Sequence, residues 1–172
     1  KSGLARAAAH GAASRSPEAL FLFLNLEMEG VEIMQRELSA LCYELGENIP
    51  YRNMDAGALA PFDFGIIDQA KVRIPRNLIL DDRCSRLSVD DVRRKIWALG
   101  RRGKVGAVFI DYLQLMRRPQ AEGRNEASVV AEMTRALKLI ATESKVCIVL
   151  LSQLSRGVES RDDKRPQLND LK

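Results

Sequence analysis

Three stretches of the chain are apolar without a break: residues 19–24, 105–110 and 146–151, each bounded by polar positions. A strand with one wet face alternates apolar and polar residues, whereas a strand covered on both faces does not. These runs therefore predict strands of a parallel sheet sandwiched between helices. A fourth, shorter run, Asn77-Leu-Ile-Leu80, stops at Asp81 and Asp82. Between the runs the apolar period lengthens to that of a helix. Ile33, Met34, Leu38, Leu41, Cys42 and Leu45 fall on one stripe, with Gly46 placed to cap its C-terminus. Ser88-Val-Asp-Asp91 resembles a capping box with Asp in place of Glu, and opens a helix carrying Val92, Ile96 and Leu99. Val129, Val130, Met133, Leu137 and Ile140 mark a helix over about 126–144. Residues 60–72 read as helical with Pro61 in the first turn, and the Ala-rich start of the chain as a further helix.

The predicted order is helix, strand, helix, helix, strand, helix, strand, helix, strand. That alternation implies an α/β architecture, mainly a parallel sheet flanked by helices, with right-handed crossovers. No internal repeat is visible. Residues 155–172 are polar and lack a strong period, so they read as a loop or a segment cut short.

Composition excludes several classes. With 172 residues, 46% hydrophobic and 29% charged, the chain is long and apolar enough for one core, and disorder is ruled out as its main description. A membrane span needs about 20 consecutive apolar residues, and no run approaches that, so a soluble, cytoplasmic protein is expected. Cys42, Cys84 and Cys147 are scattered and odd in number, which fits buried small hydrophobes in a reducing compartment. His10 is the single histidine; it excludes a multi-histidine metal site and reads most simply as a surface or packing residue of its helix. The net charge of +4 permits a polyanionic partner without demanding one.

Ligands of open α/β sheets bind beyond the carboxyl ends of the strands. Those ends carry Asn25 and Glu27, Asp81 and Asp82, Asp111, and Ser152 and Gln153. Asp111 closes an apolar strand, as the Mg²⁺-holding carboxylate of a nucleotide site does, although a strand-end Asp also serves to cap a turn. Lys1-Ser2 before an Ala-rich helix has the form of the end of a phosphate loop, Lys reaching phosphates and Ser the metal; a lone dipeptide has no diagnostic value. Glu27 either supplies favourable charge to a helix N-terminus or polarises a water for attack on a phosphate. Gln153 is either a solvated loop amide or a donor that senses a terminal phosphate. Arg93, Arg94, Lys95, Arg101, Arg102 and Lys104 form a run of cations with no acid among them, read as a solvated helix face. Trp97 within that helix reads as packing. Arg117, Arg118 and Arg124 flank a loop just past Asp111. Neither that loop nor the tail contains an aromatic residue, so a bound strand would be held mainly through its phosphates.

Three segments together resemble one family. Val108-Phe-Ile-Asp-Tyr-Leu-Gln-Leu-Met116 resembles the metal-binding strand of the DnaB family of bacterial and phage replicative helicases. Leu24-Asn-Leu-Glu-Met28 is similar to that family's Ser-Leu-Glu-Met segment. Leu151-Ser-Gln-Leu-Ser-Arg156, continuing to Asp170-Leu171, resembles its next motif and the loop beyond. The order and spacing of all three fit, and the resemblance spans essentially the whole chain.

The resemblance implies a RecA-like P-loop NTPase core, with residues 1–172 as one ATPase domain that begins at the phosphate-loop Lys and ends in a DNA-facing loop. It implies an ATP-dependent helicase motor working with Mg²⁺ as a homo-hexamer on single-stranded DNA, with primase and a helicase loader as partners. By position, Lys1 and Ser2 are the phosphate-loop pair, with Ser2 and Asp111 toward the metal. Glu27 is the catalytic carboxylate and Gln153 the γ-phosphate sensor. Arg117, Arg118, Arg124, Arg156, Arg161 and Lys172 face DNA. Departures are Asn25 for the usual Ser and Lys172 for the usual Arg. The phosphate-loop glycines, the arginine finger and the helical N-terminal domain are not in the sequence, so this stretch alone is expected to be inactive. The rival expectations are another RecA-like ATPase, such as a recombination mediator or clock-type enzyme, and a non-catalytic remnant that binds nucleotide or DNA.

Overall fold

A computed structural model describes residues 2–83, 87–118, 126–153, 163 and 165. In chain order the elements are α1 (Ser2–Arg15), β1 (Leu20–Asn25), α2 (Gly30–Glu44), α3 (Tyr51–Asp55), α4 (Asp63–Lys71), β2 (Leu78–Asp81), α5 (Val89–Gly100), β3 (Val105–Asp111), α6 (Glu126–Ser144) and β4 (Cys147–Leu150). The four strands form one sheet in the order β2-β1-β3-β4, every neighbouring pair parallel.

The unbroken apolar runs become the strands, because the inner strands are covered on both faces. Leu22, Leu24, Val108 and Ile110 point to the side packed by α5 and α6, against Val92, Ile96, Met133 and Ile140. Phe21, Phe23, Ala107 and Phe109 point to the other side, where Ala5, Ala9 and Ala13 let α1 lie close on the sheet. Phe23 and Phe109 stack with ring centroids 6.1 Å apart. A smaller cluster, including Leu38, Leu41, Cys42, Ile67 and Ala70, joins α2 to α4.

Local signals place the helix ends. Gly46 has φ +90°. Its N–H donates to Tyr43 O, and the Glu47 N–H donates to Cys42 O, both at 3.0 Å, a double closure of the last turn of α2. The expected capping box is present: Ser88 Oγ accepts from the Asp91 N–H, and Asp91 accepts from the Ser88 N–H.

Four expectations are corrected. The helix expected over 60–72 starts only at Asp63, because the Asp63 carboxylate takes the Ala60 N–H at 2.7 Å and holds the residues around Pro61 in a tight turn. The short α3 was not expected; it buries no residue, so it leaves no apolar stripe to read. Trp97 is 61% exposed, since the Val92, Ile96 and Leu99 stripe supplies the buried face of α5 and Trp97 stands beside it. Cys42 is buried, but Cys147 is exposed on β4, one of the two edge strands among the described residues. Cys84 and most of 155–172 lie outside the described residues.

Candidate functional site

The strand order creates the site. From β1 the chain leads to β2 on one side, and from β3 it leads to β4 on the other, so a crevice opens where the carboxyl ends of β1 and β3 meet. Asn25 and Asp111 are register partners at that point, each 1% exposed. The N-terminus of α1 faces them, and Ser2, Arg6, Asn25, Arg36 and Asp111 line a small cleft there. Its free space is about 20 Å³. A single water needs about 10–15 Å³, so the cleft takes a water- or ion-sized body.

Among the described residues neither carboxylate oxygen of Asp111 has a hydrogen-bond partner, although both are buried. A buried carboxylate without a donor is costly, so the arrangement calls for a cation or its bound waters. Ser2 lines the same cleft with a hydroxyl oxygen of a kind a hard divalent ion accepts, while the Asn25 amide oxygen there is engaged by the Met28 N–H. Among the described residues no group of three or more His, Cys, Asp or Glu forms a closed metal cage. Two protein oxygens with water completing the shell is the pattern Mg²⁺ prefers, and the residues present fit it.

The loop after β1 is shaped by Asn25. Its Oδ1 accepts the Met28 N–H at 3.3 Å and its Nδ2 donates to Met28 O, while the Leu26 N–H donates to Asp111 O at 2.9 Å. Glu27 is thereby held on a short tether two residues past the strand, with its side chain exposed. After β4, Gln153 is also exposed, and Gln114 bonds both its N–H and its C=O. The structure thus brings Ser2 and Asp111 into one cleft. Glu27 and Gln153 lie at the same end of the sheet, on the two strands flanking β3, outside the residues that line it. Arg117 and Arg118 are exposed just beyond the 3₁₀ turn Leu113–Leu115. Lys1, Arg124, Arg156, Arg161 and Lys172 lie outside the described residues.

The other strand-end carboxylates are structural. Asp82 Oδ2 accepts the Gly30 N–H at 3.0 Å at the start of α2, and a Cβ on Gly30 would sit 2.5 Å from that oxygen. Asp81 Oδ2 takes the Lys95 ammonium at 2.6 Å, which fixes one member of the basic run. Arg94 of that run pairs with Asp91. A larger cavity of about 630 Å³, lined in part by Trp97, Arg101, Lys104 and Lys145, lies at the opposite end of the sheet.

Sequence reasoning missed Arg6 and Arg36. Arg6 is one helical turn beyond Ser2, so the i, i+4 spacing along α1 was a usable signal. It pairs with Glu37, to which His10 also comes within 2.5 Å. Desolvation, reinforced by the nearby Arg36 charge, holds the Arg6 pKa below its ordinary value. Arg36 pairs with Glu32 at 2.6 Å and lies over the Tyr51 ring at 4.6 Å.

A parallel β2-β1-β3-β4 sheet with a buried Asp at its switch point, facing a helix N-terminus, defines a RecA-like ATPase domain. Solved structures agree. One described as an ATPase domain superposes with a TM-score of 0.83 at 31% identity, covering 99% of this chain and 60% of its own. A DnaB-like replicative helicase, described together with its interactions with primase, gives 0.81 at 31% identity, covering 99% of this chain and 40% of its own. Residues 1–172 match the DnaB-like helicase C-terminal domain throughout, and the chain belongs to that family. It is 34% identical over 172 residues to the replicative DNA helicase DnaB of Geobacillus stearothermophilus and, to the same degree, to the replicative DNA helicase DnaC of Bacillus subtilis (strain 168). The chain spans 37% of the length of each. No helix among the described residues is long and apolar enough to cross a membrane.

Proposed function

We propose that this chain is the ATP-driven motor domain of a replicative DNA helicase, coupling hydrolysis to movement along single-stranded DNA and to duplex unwinding. The observation that carries the reading is the buried Asp111 carboxylate, both oxygens without a donor among the described residues, in one cleft with Ser2 at the ends of β1 and β3. Ser2 and Asp111 hold Mg²⁺ there, and Lys1 reaches the phosphates. When bound, the metal supplies charge to offset that of the triphosphate. Glu27, on the loop that Asn25 shapes, orients the attacking water from the β1 side. Gln153 meets the terminal phosphate from the β4 side. Phosphoryl transfer is mostly positioning and charge stabilisation, so a short tether on each flanking strand suits both roles.

Arg117, Arg118, Arg124, Arg156, Arg161 and Lys172 contact the phosphates of single-stranded DNA in this reading. The working unit is a homo-hexamer in the cytoplasm, served by primase and a helicase loader. Support for the DNA step comes from the relatives, which are replicative DNA helicases.

In the full-length protein, Glu27→Ala and Asp111→Ala are expected to abolish ATP hydrolysis, measured as phosphate release. Glu27→Ala should retain nucleotide binding, measured with a fluorescent ATP analogue, better than Asp111→Ala does. Near-normal turnover in Glu27→Ala would remove that residue from the reaction.

A further inference from the structure

The segment leaving β3 runs from Asp111 through the turn Leu113–Leu115 to Arg117 and Arg118, and it is tied on both sides. The Arg117 N–H donates to Leu87 O at 2.8 Å, and the Leu113 N–H donates to Leu151 O at 2.9 Å. Gln114 adds a denser connection toward β4. Its Nε2 donates to Ser152 Oγ at 2.9 Å and to Gln153 O at 3.2 Å, while its Oε1 accepts the Gln153 N–H at 3.1 Å. The strand ladder between β3 and β4 ends at Ile110 and Leu150. Beyond it, backbone groups need other partners. A planar amide presents one donor edge and one acceptor edge, so it can pair with the N–H and the C=O of a single residue as a neighbouring strand would. Gln114 thereby prolongs the β3–β4 pairing by side chain as far as residue 153. Of the twenty side chains, only Gln combines that amide with this reach; Asn is one methylene short and Glu lacks the donor.

We propose that Gln114 is a positioning residue for Gln153, fixing residue 153 relative to Asp111 and linking its position to that of Arg117 and Arg118. The inference rests on the reading above, in which Gln153 meets the terminal phosphate and the two arginines meet DNA. Gln114 stands midway between Asp111 and Arg117, in a turn braced by Leu87 on one side and by β4 on the other. A shift of the arginines on engaging a DNA phosphate is therefore delivered to residue 153 through three hydrogen bonds rather than dissipated in a free loop.

The test uses the full-length protein with Gln114→Met, which keeps length and loses the amide, and Gln114→Glu, which keeps the acceptor and loses the donor. ATP hydrolysis is measured against ATP concentration with and without an oligothymidylate. Gln114→Met should lower the DNA stimulation of kcat about ten-fold while leaving the KM for ATP and oligonucleotide affinity within about two-fold. Gln114→Glu should fall in the same direction. If both variants are folded by thermal melting and keep the wild-type stimulation ratio, or lose rate equally with and without DNA, Gln114 is a structural residue and the inference is overturned. Gln153→Ala separates the two levels. Should it leave both hydrolysis and stimulation intact, the reading of Gln153 fails; should it remove stimulation while the Gln114 variants retain it, only the positioning role fails.

Discussion

Glu37 shows how far one side chain can depart from its pattern. It lies on the α2 stripe one turn from Ile33 and one from Leu41, a position that asks for an apolar residue, and it is 4% exposed. Its carboxylate is tolerated because Arg6 and His10 come to it from α1. Burial lowers the pKa of both Arg6 and His10; the Arg6 guanidinium stays charged while the His10 imidazole is disfavoured in its charged form, so the cluster joins α1 to α2 at a desolvation cost. Glu37→Ala should therefore cost about 3–5 kcal/mol, because it leaves Arg6 buried without its partner. Replacing both, as Arg6→Leu with Glu37→Leu, should restore most of that loss. Urea unfolding of the two variants and wild type checks this; equal destabilisation in single and double variants would show that packing rather than charge holds the site. The pairing was not legible from the chain, since the partners lie on different elements, whereas Asp111 and Gln153 stood out because strand ends announce themselves.

At the scale of elements, near-neighbour patterns were decisive. The α5 cap is a four-residue arrangement, and it forms as read: the Asp91 pKa falls from 3.8 to about 2, first through the Ser88 hydroxyl, then through the Ser88 backbone N–H, against a desolvation cost, with Arg94 helping. Because the folded value lies below the unfolded one, this stabilisation is fully present above the unfolded pKa and is lost as pH falls through the window from about 4 to about 2. Ser88→Ala should cost about 1 kcal/mol at neutral pH and should flatten the loss of stability across that acidic window, as read by thermal melts at stepped pH. A variant whose acid profile matches wild type would remove Asp91 as its cause. Patterns failed where an element is short or its start is set by a side chain: α3 has no buried face, and Asp63 delays α4 past Pro61.

On the scale of the whole molecule, strand order decides what the chemistry-bearing residues can do together. Placing β1 and β3 side by side makes Asn25 and Asp111 neighbours, and β4 beyond β3 puts Gln153 at the same end. Arg117 and Arg118 then project from that end as an exposed basic edge. In the full-length protein, replacing Arg117, Arg118 and Arg124 with Ala should weaken single-strand binding and lower the slope of log affinity against log salt by about 0.7 for every phosphate that is no longer neutralised. Fluorescence titrations of a labelled oligonucleotide at several salt concentrations measure it; an unaltered slope would take this loop out of the interface.

The amino-acid order alone determined the strands, most helices, two of the caps and the identity of the strand-end residues. Each of these depends on residues within a turn or two of one another, where periodicity and hydrogen-bond reach act directly. It also carried enough specific motif to point to the DnaB family. Only the tertiary structure decided that Asp111 is buried beside Ser2 without a donor among the described residues, that Asp81 and Asp82 are spent on Lys95 and Gly30, that Arg6 and His10 share Glu37, and that Gln114 holds residue 153. Those facts turn on which distant segments the sheet brings into contact, and burial or hydrogen bonding across such distances follows from the packing of the whole chain rather than from any local stretch of it.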